Sequence, residues 1–209
     1  EMSASLVGSE MCIRDRYYPN LHIINGPLDD MIPFCEVFII PYFLWFAYIV
    51  ASCVIMVLKA DNQEFIRFAL SLIIGMSLCM VICMVYPNGL TLRPDTLPDN
   101  VFGRLVAGLY ATDTPTNVFP SIHVYNSIAV HTALSKCKAL KNHKGLLTGS
   151  LILCILICMS TVFLKQHSLY DVGGAFVLMG VMYYVLYILP ERRAQRQAEN
   201  EKHYASADE

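Results

Sequence analysis

"FLKQHSLYDVGGAF", residues 163–176, decides how this chain is read, because a lysine, a histidine and an aspartate stand where one long apolar run stops and another begins. The flanking runs, "LLTGSLILCILICMSTVFL" at 146–164 and "VGGAFVLMGVMYYVLYIL" at 172–189, approach the roughly 20 helical residues needed to cross a bilayer. Two further runs of that kind occupy residues 37–58 and 66–86. A fifth, "IHVYNSIAVHTALS" at 122–135, is too short and polar to face lipid all round and is expected inside the bundle. Composition agrees: 56% of residues are hydrophobic and only 15% charged, with a mean hydropathy of +0.48, against about 25% charged in an ordinary soluble domain. The expected fold is all-α, a polytopic membrane helical bundle with five spans visible. Four positions separate His167 from Asp171, a spacing that puts both on one face of a helix within contact of each other.

The distribution of basic residues orients the spans, since short cytoplasmic loops carry the excess of Lys and Arg. If the spans alternate, Lys59, Arg67, Lys136, Lys138, Lys141, Lys144, Arg192, Arg193, Arg196 and Lys202 share one side, while Arg93, Arg104 and Lys165 fall on the other. The first side is expected to be cytoplasmic. Residues 87–121 and the 165–171 turn then meet on the outer face. A net charge of -2, with no strongly basic face, excludes a nucleic-acid footprint. The eight cysteines show no CxxC spacing and read as small apolar packing residues.

The same count exports residues 17–36, although no span precedes them. The opening "EMSASLVGSEMCIRDR" has no helical or strand period and resembles translated adapter read-through. Residues 1–16 are therefore expected to be non-native sequence standing in place of a first, sixth span. Residues 17–190 form the membrane domain, and 191–209 a polar cytoplasmic tail expected to fray.

Polar chemistry concentrates at the outer face. The loop between the second span and the polar helix contains Arg93–Pro94, and arginine suits forked hydrogen bonding to phosphate. Taken alone, the pair reads equally well as an interfacial arginine. "FPSIH", residues 119–123, opens the polar helix with Ser121 and His123, and the free N–H groups of a first helical turn favour anions. A neutral imidazole at His167 can attack phosphorus if a partner fixes its tautomer, and Asp171 supplies that partner. His131, two turns below His123, reads as a buried packing or hydrogen-bonding residue. Asp113 and Asn117 read as positioning an acceptor or, more readily, as bracing the loop, and Gly173 and Gly174 as small residues for close helix packing.

These elements together resemble the type 2 phosphatidic acid phosphatase (PAP2) superfamily, with its pattern K-x6-R-P, P-S-G-H and S-R-x5-H-x3-D. The chain keeps Arg93 and Pro94, then Pro120, Ser121 and His123, then Ser160, His167 and Asp171. It departs at Tyr86, Ile122 and Thr161, where the family has lysine, glycine and arginine. Those departures look most like the branch of inositol phosphorylceramide synthases, sphingomyelin synthases and their bacterial PAP2-like relatives. The resemblance covers roughly residues 37–190.

The resemblance implies an integral protein of the bacterial plasma membrane that hydrolyses or transfers a lipid phosphate on the extracytoplasmic face. His167 would be the nucleophile forming a phosphohistidine, Asp171 its orienting partner, and His123 the acid and then the base. Arg93, Ser121 and Lys165 would hold phosphate oxygens, Lys165 in compensation for a lost family cation or else as an interfacial lysine. No metal or other cofactor is implied, and oligomeric state is not legible. The rival reading is a non-catalytic membrane protein that binds metal or haem through His123, His131 and His167.

Overall fold

The computed structural model describes residues 21–207. What was expected of residues 1–16 lies outside the described residues. In chain order the elements are strand β1 (His22–Ile23), α1 (Pro27–Met31), α2 (Ile39–Lys59), α3 (Asn62–Val85), strand β2 (Asn88–Gly89), α4 (Val101–Thr112), α5 (Ile122–Lys136), α6 (Lys144–Phe163), α7 (Leu169–Tyr183) and α8 (Leu189–Ala207). Four helical stretches are long and apolar enough to cross a membrane: Glu36–Lys59, Asn62–Val85, Lys144–Phe163 and Leu169–Asn200. They coincide with the four apolar runs. The paired strands β1 and β2, two residues each, and an isolated bridge from Gly89 to Thr116 are the β-structure among the described residues.

Helix α5 is the centre of the bundle, packed by α2, α3, α6 and α7. Its first turn is closed by Ser121, whose Oγ accepts from the Val124 N–H. Its buried residues include the polar Asn126 and Ser127 as well as Val124, Tyr125 and Val130, so burial runs around the helix and no lipid-facing stripe exists. Protein satisfies several of the polar groups at this depth, while Asn126 Oδ1 is buried without a partner. Tyr125 donates to the Ser71 carbonyl of α3 at 2.8 Å, and His131 Nδ1 lies 3.0 Å from Ser150 Oγ of α6. Of the two roles expected for His131, packing or hydrogen bonding, the structure shows the second, at a half-buried position. The outer helices instead turn Val50, Val54, Leu58, Ile73, Met80 and Met84 outward, as a lipid-facing surface requires.

Close approach of α3 to α5 depends on Gly75, because a Cβ there would collide with the ring of Tyr125, which is fully buried and cannot swing away. Gly75→Ala is expected to destabilise the bundle by about 1–3 kcal/mol, the usual cost of overpacking. A thermal midpoint in detergent equal to that of the unsubstituted protein would refute this. Gly174 accommodates the ring of Phe119 in the same manner, whereas Gly173 faces open space. Only the second of the two glycines therefore serves close packing.

The loops rich in positive charge gather at one end of the bundle. Asp61 caps α3 in a reciprocal capping box with Glu64, and Lys138 donates to the Asp61 carboxylate at 2.8 Å. That hydrogen bond from Lys138 holds the Asp61 carboxyl below its ordinary value. Arg67 reaches Glu191 at 3.7 Å at the same end.

Beyond α7 the chain continues as α8 through a π-helical turn at Tyr184–Ile188. Pro190 lacks the N–H that would continue the regular ladder, and the wider turn ahead of it absorbs that loss. Through Ala207 the tail is helical, because its Ala, Glu, Gln and Arg residues favour helix and the packed span supplies the nucleus.

Candidate active site

At the opposite end of the bundle from the basic loops, the turn between α6 and α7 carries His167. The N–H groups of Gln166 and His167 both donate to the Thr161 carbonyl at 3.0 Å, which reverses the chain after α6. Ser168 then caps α7: its Oγ accepts from the Asp171 N–H at 3.2 Å, while Asp171 Oδ2 accepts from the Ser168 N–H at 2.8 Å. His167 therefore precedes the helix instead of lying on its face. The contact with Asp171 is made across a capping box, not by helical i,i+4 stacking.

His167 Nδ1 stands 3.4 Å from Asp171 Oδ2, and the Asp171 side chain is wholly buried. At this separation the two groups are in contact short of a hydrogen bond, and His167 Nδ1 has no other partner. Asp171 Oδ1 has no hydrogen-bond partner. Backbone geometry also ties the second motif to the third, since the Ser121 N–H donates to the Asp171 carbonyl at 3.2 Å.

That bond brings the start of α5 beside the turn. The His123 ring lies 5.7 Å from the His167 ring, centroid to centroid. Tyr42 and Trp45 of α2 flank His123 with centroids at 4.7 and 4.5 Å. Its Nδ1 is buried without a partner, as is Gln166 Nε2. A pocket of about 140 Å³ opens over these groups, lined by both histidines, Gln166, Asp113, Thr116 and Asn117. Buried polar atoms without partners beside a cavity are costly unless a ligand satisfies them.

The three residues read as phosphate ligands are placed differently from the histidines. Arg93 donates through Nη2 to the Asp113 carbonyl at 2.6 Å and to Gln166 Oε1 at 2.7 Å, and lies over the Tyr110 ring at 4.2 Å. It stands behind the pocket wall and reaches the cavity through Gln166. Tyr110 in turn donates to the Leu164 carbonyl at 2.7 Å, and burial pushes its phenol up to about 12, so it keeps its proton. Ser121 is fully buried as a helix cap. Lys165, buried and at φ 52°, donates to the carbonyls of Asp29 and Ile32, each at 2.6 Å, and does not line the pocket.

Arg93→Ala is expected to lower kcat/KM by about tenfold or more, because a charged group with several acceptors contributes about 1.5–3 kcal/mol per bond. Arg93→Lys should recover little, a single ammonium being unable to span the carbonyls of Tyr110 and Asp113 and the Gln166 amide oxygen together. Unchanged kinetics in both variants would disprove the bracing role.

Several residues of this site escape a reading by motif. Gln166 adjoins His167 in sequence but carries no chemical signature of its own. Tyr42 and Trp45 belong to an apolar run and look like lipid contacts there. Asn88, fully buried, accepts from the N–H groups of Val118 and Phe119 at 2.8 and 2.9 Å and so sets the approach to His123. One signal was available: Ser168-x-x-Asp171 is a capping-box pattern.

The metal-binding alternative needs His131 to join the pair, yet His131 is engaged by Ser150 and Ser135. Among the described residues no group of three or more His, Cys, Asp or Glu could hold a metal ion.

Fold and site together define an integral membrane protein with a paired-histidine pocket at one end of its helical bundle. Residues 64–195 match the PAP2 superfamily, more than half of the chain, and the chain belongs to that superfamily. Membership supports a phosphatase-type enzyme. Comparisons with curated proteins and with solved structures gave no match.

Proposed function

We propose that the protein is a membrane lipid phosphatase or phosphotransferase that works through a phosphohistidine on His167, at the extracytoplasmic face. The observation that carries this reading is His167 set between buried Asp171 at 3.4 Å and the His123 ring at 5.7 Å, over a pocket. With Nδ1 turned to Asp171, the Nε2 lone pair is left for nucleophilic attack, and the carboxylate offsets the charge that develops on the ring.

In the first step Nε2 bonds to phosphorus and the P–O bond to the lipid alcohol breaks, while His123 gives its proton to the departing oxygen. In the second, water or an acceptor alcohol attacks phosphorus, the P–N bond breaks, and His123 takes the proton from the attacking oxygen. The free first-turn N–H groups of α5 and Gln166 Nε2 would receive the phosphoryl oxygens. Arg93 supports them from behind. Lys165 is left out of this set because its ammonium is committed to two carbonyls.

Tyr86, Ile122 and Thr161 support the branch of inositol phosphorylceramide and sphingomyelin synthases, in which an alcohol acceptor competes with water. Structurally, Tyr86 stacks on His22 at 4.3 Å, and Thr161 contributes its carbonyl to the histidine turn. The test is phosphate release and labelled headgroup exchange from a panel of lipid phosphates in detergent with EDTA. Turnover that persists in EDTA supports the reading, and the ratio of exchange to release distinguishes transfer from hydrolysis. Turnover that EDTA abolishes and metal restores would overturn it.

A further inference from the structure

We propose that Asp29 is a positioning residue for His167, acting with Lys165 to latch the Gly26–Ile32 segment onto the turn that bears the histidine. This inference rests on the role of His167 given above. Asp29 is a buried carboxylate, 1% exposed, in a short helix that precedes the first described span. Its Oδ1 accepts from the Leu169 N–H at 2.7 Å and its Oδ2 from the Gly26 N–H at 2.9 Å. Leu169 is the first residue of α7, two positions after His167.

The latch has a second arm. Lys165 sits in the left-handed region, φ 52°, which a residue with a Cβ adopts only when its surroundings compensate. The compensation is visible: its ammonium donates to the carbonyls of Asp29 and Ile32 at 2.6 Å each. Just beyond, the Cys35 N–H donates to the Phe163 carbonyl at 3.1 Å, and Phe38 stacks on Phe163 at 4.5 Å. The residues on both sides of His167 are therefore held by a segment lying outside the 64–195 region that matches the family.

The consequence concerns geometry at Nε2. Asp171 sits in the first turn of α7 and His167 in the loop before it, so their separation is set where Asp29 and Lys165 bind. A carboxylate on the Leu169 N–H also complements the dipole of α7 at its N-terminus, as Asp171 does on the Ser168 N–H. Loss of the latch should leave the pocket in place but let the histidine drift from its partner.

The experiment uses the full chain in detergent with 32P-labelled phosphatidic acid, and measures both the amplitude and the rate of acid-labile, base-stable labelling. Asp29→Ala is expected to slow labelling about tenfold to a hundredfold with amplitude retained, since small misplacements of a reacting group cost that much. Asp29→Asn, which keeps an acceptor for Leu169, should recover much of the rate. Lys165→Met serves as a second variant if Asp29→Ala does not fold, with the same expectation. Asp30→Ala, at the exposed neighbour, is the control. Reduced amplitude at an unchanged rate per labelled site would show that Asp29 serves folding alone and overturn the proposal, as would an unchanged rate in both Asp29→Ala and Lys165→Met. Absence of label in the unsubstituted protein with every labelled lipid phosphate of the panel would overturn the phosphohistidine reading itself and this inference with it.

Discussion

His167→Ala is expected to reduce kcat by about 10⁴-fold or more, with the protein still inserted and folded. The expected loss is large because a covalent mechanism cannot proceed without its nucleophile, and members of such a unit fail together. Folding should survive: the His167 side chain forms no hydrogen bond within the described residues and stands 3.4 Å from Asp171, while the capping box is built from Ser168 and Asp171. Asp171→Asn should lose about 10²–10⁴-fold, because the amide cannot steady the imidazolium and favours the wrong tautomer. It should also weaken the cap, so its thermal midpoint falls while that of His167→Ala does not. The measurement is lipid-phosphate turnover beside thermal unfolding in the same detergent. Retention of even a tenth of the activity in His167→Ala would remove that residue from the nucleophile's role.

The second large effect belongs to His123→Ala, and its size should depend on the leaving group. With an alkyl leaving group, as in a lipid phosphate, loss of the general acid costs about 10²–10⁴-fold. An aryl phosphate, whose phenolate leaves without help, should be cleaved in the first step at near the unsubstituted rate. The second step still lacks its base, so phosphohistidine should accumulate on His167. The two roles of His123 are then separable by rapid-quench labelling with aryl and alkyl substrates. Equal losses for both, without accumulation, would mean that His123 shapes the pocket and does not move protons. Tyr42 and Trp45 against the ring bear on this, since they restrict its rotation and limit the angles at which it can meet a leaving oxygen.

Much of the fold was legible because membrane insertion imposes a simple constraint. Apolar runs of span length can only be helices with satisfied backbones, and a polar run between them must be enclosed. The four apolar runs and the enclosure of residues 122–135 follow from that rule. The relation of His167 to Asp171 was legible as proximity but not as geometry. The i,i+4 spacing suggested a shared helix face, while the capping box starts the helix one residue after Ser168 and places the histidine outside it. The cations were the least legible. Arg93 and Lys165 announce charge, but whether a long side chain reaches a pocket or folds back on a carbonyl depends on what packs beside it.

By itself the sequence determined the helical bundle, the two ends of its spans and the residue types gathered at one of them, because hydrophobic length and charge are properties of each segment alone. Only the tertiary structure decided which groups touch: Gln166 between Arg93 and the pocket, Asn88 under the approach to His123, Asp29 and Lys165 around the histidine turn. Those partners lie up to 140 positions apart. Hydrogen bonds over such separations arise from packing of already formed helices, and no local pattern encodes them.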